Sequence, residues 1–431
     1  MIEQLKDSFK TFETQLNGAS KSSWHQLRKK AMVTLESNGL PKAKDEEYRY
    51  THLGRILDKK FQFTDLSMAG RDSNHGENIL FHDADAHHIY INNGIVDKEK
   101  IKSLAVNGLI MLTLQEASDK YPKDIDAHLG NHSNNNKDAF TALNTIFSYE
   151  GVFIKVEKNA LIDKPILLHY STTKQLKQPV YQSRNLIIVE SGAQVEMIES
   201  YTSHEEEEYF SNHVSEIVIG ANAHLNYYKL QNQSNKTYHV DNTYIAQAKD
   251  SVVTSYIFTL EGKIIRNNLN FALEDQNCET HLFGLYVAHG DNHIDNHTVV
   301  NHKFPNCFSN QIYKGILDDT AKAVFNGKIF VQPDAQKTNA FQSNKNILLT
   351  DTASMNSKPQ LEIWADDVKC SHGCTTGQLD EEQLFYLRSR GISKSSARGM
   401  LLHAFVDDVL DKIKIDFLHD FVGAEMNNRL D

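Results

Sequence analysis

The sequence predicts a mostly β chain whose centre is a β-solenoid and whose two ends are helical. Three observations carry this. Residues 152–368 are built of short β-rich runs separated by turn signals, with little proline. Two turn sequences inside that stretch recur, at offsets of 28 and 32 residues. At both ends of the chain, apolar residues instead recur at intervals of three and four.

At the N-terminus, Ile2, Leu5, Phe9, Phe12 and Leu16 share one helical face. A second helix opens near Ser23, where Ser23 and Gln26 have capping-box spacing, and carries Trp24, Leu27, Ala31 and Leu35 as its stripe. Gly39 and Pro41 end it. The charged, aromatic run Lys44-Asp-Glu-Glu-Tyr-Arg-Tyr-Thr51 reads as a solvated helical turn. Residues 67–85 and 128–137 read as loops, and Leu114–Tyr121 as a short helix.

The central runs include Val152–Val156, Pro165–Tyr170, Asn185–Val189 and Glu216–Ile219. Ile187–Glu196 can be laid on Ser215–His224, and Leu317–Val324 on Leu349–Met355. Repeating Gly-Ala and Thr-Ala corners between short alternating strands favour a solenoid over a sandwich. Near the C-terminus, Asp380 caps a helix that Gly391 ends, and Ser393 or Ser395 opens a longer one. That longer helix has a wide apolar stripe, with Met400, Leu401, Ala404, Phe405 and Val409 on one side and Leu402, Val406 and Leu410 on another. The second side is either buried or kept for a partner. Phe417, Leu418, Phe421 and Val422 continue the helical tail.

Composition narrows the function. The 431 residues carry 45 basic and 56 acidic side chains, a net charge of −11 spread along the chain, which argues against a general nucleic-acid binder. No apolar run approaches the ~20 residues that cross a bilayer. The opening Met-Ile-Glu-Gln-Leu-Lys has no apolar signal region, and four cysteines do not make a disulfide scaffold, so a cytoplasmic protein with reduced thiols is expected. Gly327-Lys328 is followed by isoleucine and lacks the earlier glycine of a phosphate loop. Dinucleotide, α/β-hydrolase and zincin signatures are also missing.

Two constellations remain. His289, His293 and His297 are spaced by four, but Gly290, Asn292 and Asn296 make a poor helix there, so they read as a polar ladder on a solenoid face. Cys370-Ser-His-Gly-Cys374, if extended, turns two sulfurs and an imidazole to one side. Thiolate and imidazole together suit iron or zinc, and a thiolate can also hold persulfide sulfur. A complete tetrahedral site would need a further ligand, from a second chain for instance. Cys278 and Cys307 read as core thiols.

A series of ordered motifs resembles the SufB/SufD family of iron–sulfur cluster assembly scaffolds. They include Asp291-Asn-His-Ile-Asp-Asn-His-Thr298, Tyr313-Lys-Gly315, Val324-Phe-Asn-Gly-Lys328 and Ala335-Gln-Lys-Thr338. Further along come Leu361-Glu-Ile363, Ala365-Asp-Asp-Val-Lys-Cys-Ser-His-Gly373, Gly377-Gln-Leu-Asp-Glu381 and Leu384-Phe-Tyr-Leu-Arg-Ser-Arg-Gly-Ile392. The dense match runs from Asn277 to Val409, and the Lys-Cys-Ser-His-Gly stretch is of the SufD type. The resemblance implies a central right-handed parallel β-helix, a helical N-terminal domain at 1–135, a β-helix core at 136–376 and a helical C-terminal domain at 377–431. It implies a non-enzymatic scaffold that pairs with SufB through the β-helix end and with the ATPase SufC through the C-terminal helices, where Leu384, Tyr386, Arg390, Gly391, Ala397, Leu401 and Phe405 lie. No cluster would be bound permanently. A nascent iron–sulfur cluster would be shared with SufB at His372, with Cys370 beside it, and the chain alone would form a homodimer through its open strand edges. Cys374 stands where the family has a small alanine; it either adds a ligand or replaces one small buried residue by another, and the second reading is favoured. The alternative from another class is a β-helix polysaccharide lyase or hydrolase.

Overall fold

The computed structural model describes residues 2–15, 23–61, 79–133, 138–148, 150–172, 178–203 and 208–430. Leu16, most of the 67–85 loop and residues 134–137 therefore lie outside the described residues.

The strands are β1 (His87–Asn92), β2 (Ile95–Val96), β3 (Leu109–Thr113), β4 (Gly151–Val156), β5 (Ile166–Thr172), β6 (Val180–Val189), β7 (Gln194–Ser203), β8 (Tyr209–Ile219), β9 (His224–Asn232) and β10 (Thr237–Gln247). They continue as β11 (Val252–Glu261), β12 (Ile264–Leu273), β13 (Glu279–Ala288), β14 (His293–His302), β15 (Phe308–Leu317), β16 (Lys322–Val331), β17 (Asn339–Leu348), β18 (Ser354–Ile363) and β19 (Lys369–Gly377). From β4 onward the chain alternates between two sheets. One runs β19-β17-β15-β13-β11-β9-β7-β5-β1-β2 and the other β18-β16-β14-β12-β10-β8-β6-β4-β3. Every pairing from β4 to β19 is parallel, so this is a parallel β-helix, as expected.

Parallel, in-register stacking turns the sequence into columns. Glu199, Lys229, Ile257, Gly284, Tyr313, Asn344 and Cys374 follow one another up a single inward-facing column. Inside, a β-carbon at Gly284 would lie 2.2 Å from the Tyr313 ring, and one at Gly315 would lie 2.2 Å from the Tyr286 ring. Each glycine thus makes the space that a tyrosine of the adjacent strand fills.

One corner of the helix is a column of left-handed residues: Asn159, Gly192, Asn222, Asp250, Asn277, Asn306 and Lys337, with φ between 57° and 75°. Asn and Asp tolerate this conformation through local side-chain hydrogen bonds, which is why they recur there. The strands on either side of the first repeat are offset by 30 residues, not 28, since Val189 pairs with Ile219 and Gln194 with His224. Gly192 therefore stacks on Asn222, and the two Gly-Ala sequences do not superpose.

Helices cover both outer faces. The N-terminal helices α1 (Ile2–Gln15), α2 (Ser23–Asn38) and α3 (Leu53–Lys60) pack with α7 (Ala139–Phe147) on Val180, Phe210, Tyr238 and Val240. Between them in sequence come α4 (Lys98–Lys102), α5 (Leu114–Lys120) and α6 (Pro122–His128). At the other end, α8 (Glu381–Ser389) is followed by α9 (Lys394–Leu410) and α10 (Asp416–Leu430). Leu402, Val406 and Val409 of α9 and Leu418, Val422 and Met426 of α10 bury against Tyr228, Phe258 and Leu285 of the opposite sheet. Strands with both faces covered, such as β6 and β10, are buried throughout, yet they carry polar and charged residues midway, Gln182–Asn185 in β6 and Asp241–Thr243 in β10. Among the described residues, no helix is long and apolar enough to cross a membrane.

The run at 44–51 is a helical turn with Lys44, Asp45, Glu46, Arg49 and Tyr50 exposed, as expected, but Tyr48 and Thr51 are buried and Glu47 is half-buried. It forms a short 3-10 turn at Glu46–Tyr48 that is clamped to the outside of the β-helix. Arg266 stacks 4.1 Å from the Tyr48 ring, and its Nη1 donates to the Glu47 carbonyl oxygen at 2.7 Å and to Asp295 Oδ2 at 2.6 Å. Thr51 Oγ1 donates to Asp295 Oδ2 at 2.6 Å and meets His293 Nε2 at 2.8 Å. The His297 ring lies between two carboxylates, 3.2 Å from Glu47 and 2.8 Å from Asp295. Lys328 also pairs with Glu47, and Lys358 of β18 with Glu46. The hydrogen bond from His297, joined by Lys328 and opposed by burial, lowers the Glu47 carboxyl to about 2. So His293 and His297 are docking groups, while His289 sits in the preceding turn on Glu261, off their face.

Candidate functional site

The two ends of the β-helix differ. At the N-terminal end the edge of each sheet is closed by an antiparallel strand, β2 on β1 and β3 on β4. At the other end β18 and β19 are the last strands of their sheets, ten and nine residues long, with no strand beyond either among the described residues. A long exposed edge is an unfilled pairing surface.

The two edges are not equivalent. Ser354 N–H bonds inward to Ala321 O, so in β18 the odd-numbered residues turn their backbone polar groups to the open edge. Pro359 is one of them and has no N–H to offer. In β19, Lys369 N–H bonds inward to Thr338 O, so residues 370, 372, 374 and 376 face the open edge, and none is proline.

The pairing of β19 on β17 places Cys370 on Ala340, His372 on Gln342 and Cys374 on Asn344. Ala340, Gln342 and Asn344 are buried, so all three candidate ligands face the interior column at the open end. The expected common face is present. Cys370 is half-buried over Ala340, Val331 and Ala335, and that burial pushes its thiol pKa up. His372 is exposed, and Cys374 is exposed too, not a small buried residue as the sequence suggested, because no further rung covers it. At the end of the last strand of the other sheet, Ile363 and Trp364 are exposed apolar groups. Among the described residues, no group of three His, Cys, Asp or Glu converges as a metal site.

The floor beneath is an amide layer that the sequence reading missed. Gln342 Nε2 donates to Gln311 Oε1 at 3.1 Å, and Gln311 Oε1 also accepts from Thr298. Asn344 Nδ2 donates to Tyr286 Oη at 3.2 Å, and Asn346 Nδ2 donates to Asn344 Oδ1 at 2.8 Å. The Gln342 side chain crosses over Gly327, where a β-carbon would fall 2.1 Å from its Nε2, which accounts for glycine at that position. Its own Oε1 is buried without a partner. The available signal was the polar alternation of Gln342, Asn344 and Asn346 at positions where the preceding strands place Leu282, Tyr313 and Tyr286.

Deeper in the interior lies a charged group, also missed. Lys229 Nζ is 3.3 Å from Glu199 Oε2, pairs with Asp241 and donates to Thr243 Oγ1 at 3.0 Å. Tyr201 Oη donates to Glu199 Oε2 at 2.8 Å. His213 and His239 stack with ring centres 5.0 Å apart, and burial drives both imidazoles well toward the neutral form. Cys278 and Cys307 are buried at successive corners and share the Asp275 carbonyl as acceptor, at 3.1 and 3.3 Å.

The C-terminal residues expected to bind a partner do not share one environment. Leu384 and Ala397 are buried, whereas Leu401 and Phe405 are half-buried, the Phe405 ring lying 4.8 Å from Lys314 Nζ. Gly391 ends α8 with φ 88°, and Arg390 folds back over Tyr386. Tyr386 and Phe385 of α8 are 57 % and 73 % exposed, and Met400 of α9 is 52 % exposed.

Residues 170–405 match the family description "SUF system FeS cluster assembly, SufBD core domain", and residues 1–168 match "SufBD protein N-terminal region". The chain belongs to the SufBD family. It is 31 % identical to an iron–sulfur cluster assembly SufBD family protein of Synechocystis, over 94 % of this chain and 90 % of that one. It is 30 % identical to the iron–sulfur cluster assembly protein SufD of Escherichia coli, over 91 % of this chain and 90 % of its relative. Similarity to the SufD of Bacillus subtilis is 28 % over 64 % of this chain and 63 % of that one. A part in iron–sulfur cluster assembly follows from SufBD membership, which supersedes the polysaccharide lyase or hydrolase alternative.

Proposed function

We propose that the chain is a SufD-like, non-catalytic scaffold of the cytoplasm on which a nascent iron–sulfur cluster is built at the open end of the β-helix. The observation that carries this is the asymmetry of the two ends: one is closed by antiparallel strands, the other leaves β18 and β19 unpaired with His372 and Cys370 turned inward beside them. In this reading SufB continues the sheet from the β19 edge. The cluster, as cargo and not a resident cofactor, then forms between His372, with Cys370 next to it, and the SufB surface. A soft metal–sulfur cargo matches imidazole and thiolate donors. Without SufB, a second copy of the chain takes the same edge and gives a homodimer. Residues 377–431 form the module that holds the ATPase SufC, with Tyr386, Phe385 and Met400 as the apolar contact and Leu384, Ala397, Arg390, Gly391, Leu401 and Phe405 shaping the helices that present it. Nucleotide chemistry then belongs to that partner.

The test is co-purification of the tagged chain with SufB and SufC, wild type beside His372→Ala, followed by anaerobic iron and sulfide analysis. Both chains should assemble the complex, and the variant should retain far less iron and sulfide. Recruitment of neither partner by the wild type would overturn the reading.

A further inference from the structure

We propose that Cys374, and not Cys370, is the thiolate that shares a metal ion with His372, the two forming a half-site for a thiophilic divalent cation. The proposal rests on the reading above that metal is gathered at this end of the β-helix.

Reach decides that only one thiol can serve. Alternate residues of a strand stand about 7 Å apart, so Cys370 and Cys374 have Cα atoms about 13 Å apart. A metal held about 2.3 Å from a cysteine sulfur lies within about 5 Å of that residue's Cα. Two such reaches do not span 13 Å, whereas a cysteine and a histidine two residues apart can meet at one ion.

The surroundings choose between the two. Cys370 is half-buried on the apolar group of Ala340, Val331 and Ala335, so apolar side chains take up part of the space that an ion and its remaining ligands would need around its sulfur. Cys374 is exposed and stands on Asn344, a buried side chain fixed by bonds to Tyr286 and Asn346. A second observation points to the imidazole as its companion. Gln342, one rung beneath His372 and 4 % exposed, has a buried Oε1 with no partner. An N–H of the His372 ring donated to that oxygen fixes the tautomer and frees the other ring nitrogen for a metal, as outer-shell acceptors do in established sites.

The half-site is incomplete by itself, since among the described residues no third His, Cys, Asp or Glu converges there. The remaining ligands come from whatever pairs with the β19 edge, or from water. Binding forms one Sγ–metal bond and one N–metal bond and releases the Cys374 Sγ–H proton to solvent, with no change of oxidation state.

The experiment is an anaerobic titration of the full-length chain with cobalt(II), read by the sulfur-to-cobalt charge-transfer absorbance. It uses wild type, Cys374→Ser, Cys370→Ser and His372→Ala. Cys374→Ser should lose the charge-transfer band and bind at least 10-fold more weakly, Cys370→Ser should stay within about twofold of wild type, and His372→Ala should weaken binding while keeping a shifted band. The proposal is overturned if Cys374→Ser keeps the band, if Cys370→Ser abolishes it, or if the wild type shows none. Iron and sulfide in the SufB–SufC co-purification separate the two levels: a deficit in His372→Ala without one in Cys374→Ser removes only the present inference. No deficit in either removes the assembly site itself.

Discussion

Replacing Lys229 by methionine tests whether the charged group inside the β-helix is an integral part of its packing. Methionine keeps the unbranched length and loses the charge. Lys229 lies 3.3 Å from Glu199, and at an effective dielectric of about 20 that separation corresponds to about 5 kcal/mol of attraction. Among the described residues the ammonium is the charged partner of Asp241, His239 standing 4.0 Å away with burial holding its ring neutral, so its removal leaves two buried carboxylates without a cation. Breaking a buried ion pair from one side costs about 3–5 kcal/mol, because the surviving charge stays desolvated. We expect Lys229→Met to lose about 4 kcal/mol in urea unfolding followed by far-UV circular dichroism. At roughly 2–4 °C per kcal/mol for a large domain, the melting temperature should fall by about 8–16 °C. The triple variant Lys229→Met, Glu199→Gln, Asp241→Asn should recover more than half of the loss, since neutral amides keep hydrogen bonds to Tyr201 and Thr243 without the unpaired charge. A loss below about 1 kcal/mol, or a triple variant no better than the single one, would refute the reasoning.

Three further outcomes are expected. Glu47→Gln should cost about 1 kcal/mol at pH 7, the value being discounted because the side chain is 41 % exposed. Its carboxyl falls from 4.5 to about 2 on folding, so its contribution is whole above pH 4.5 and fades as pH falls toward 2, and urea midpoints of wild type and variant should converge over that window. Gly315→Ala should lose about 1–3 kcal/mol by overpacking against the Tyr286 ring, read as a lower thermal midpoint with an unchanged far-UV spectrum. Thr376→Pro removes a backbone N–H that faces the open edge and none that β19 gives to β17, so the chain should stay folded while sedimentation shows its self-association weakened at least 10-fold.

The β-helix was legible because its physics is local and repeated. Short alternating strands pointed to the solenoid, whereas the corner column of left-handed residues, Asn222, Asn277 and Asn306 among them, is a periodic trace that the reading of Gly-Ala and Thr-Ala corners passed over. The exact rung offset was not legible from the Gly-Ala copies: Gly192 supplies the left-handed corner where Asn222 does so in the next rung, and chemically different residues perform one backbone task. The clamp of Glu46–Thr51 was hidden for another reason. A charged aromatic run looks solvated until Arg266, Asp295 and Lys328, more than 200 positions away, are brought to it. For the candidate site, the common face of residues 370, 372 and 374 followed from strand periodicity, but which of them is covered depended on β17 beneath and nothing above. The wide stripe of α9 likewise mixed two roles: Leu402 and Val406 are buried on the sheet, and Met400 is left exposed.

The clamp and the open end also bear on each other. Lys358 belongs to β18, so its pairing with Glu46 ties the last strand of one sheet to the N-terminal segment. That same strand lacks a donor at Pro359, and its outer edge is therefore interrupted midway. The last strand of the other sheet has no such interruption, and its edge-facing positions are those of Cys370, His372 and Cys374. A strand added to β19 gains a continuous ladder, whereas one added to β18 must leave an acceptor unmatched at residue 359. In the proposed assembly this directs the partner to the strand that carries the imidazole, so that the backbone proposed to recruit the partner is also the backbone that positions His372.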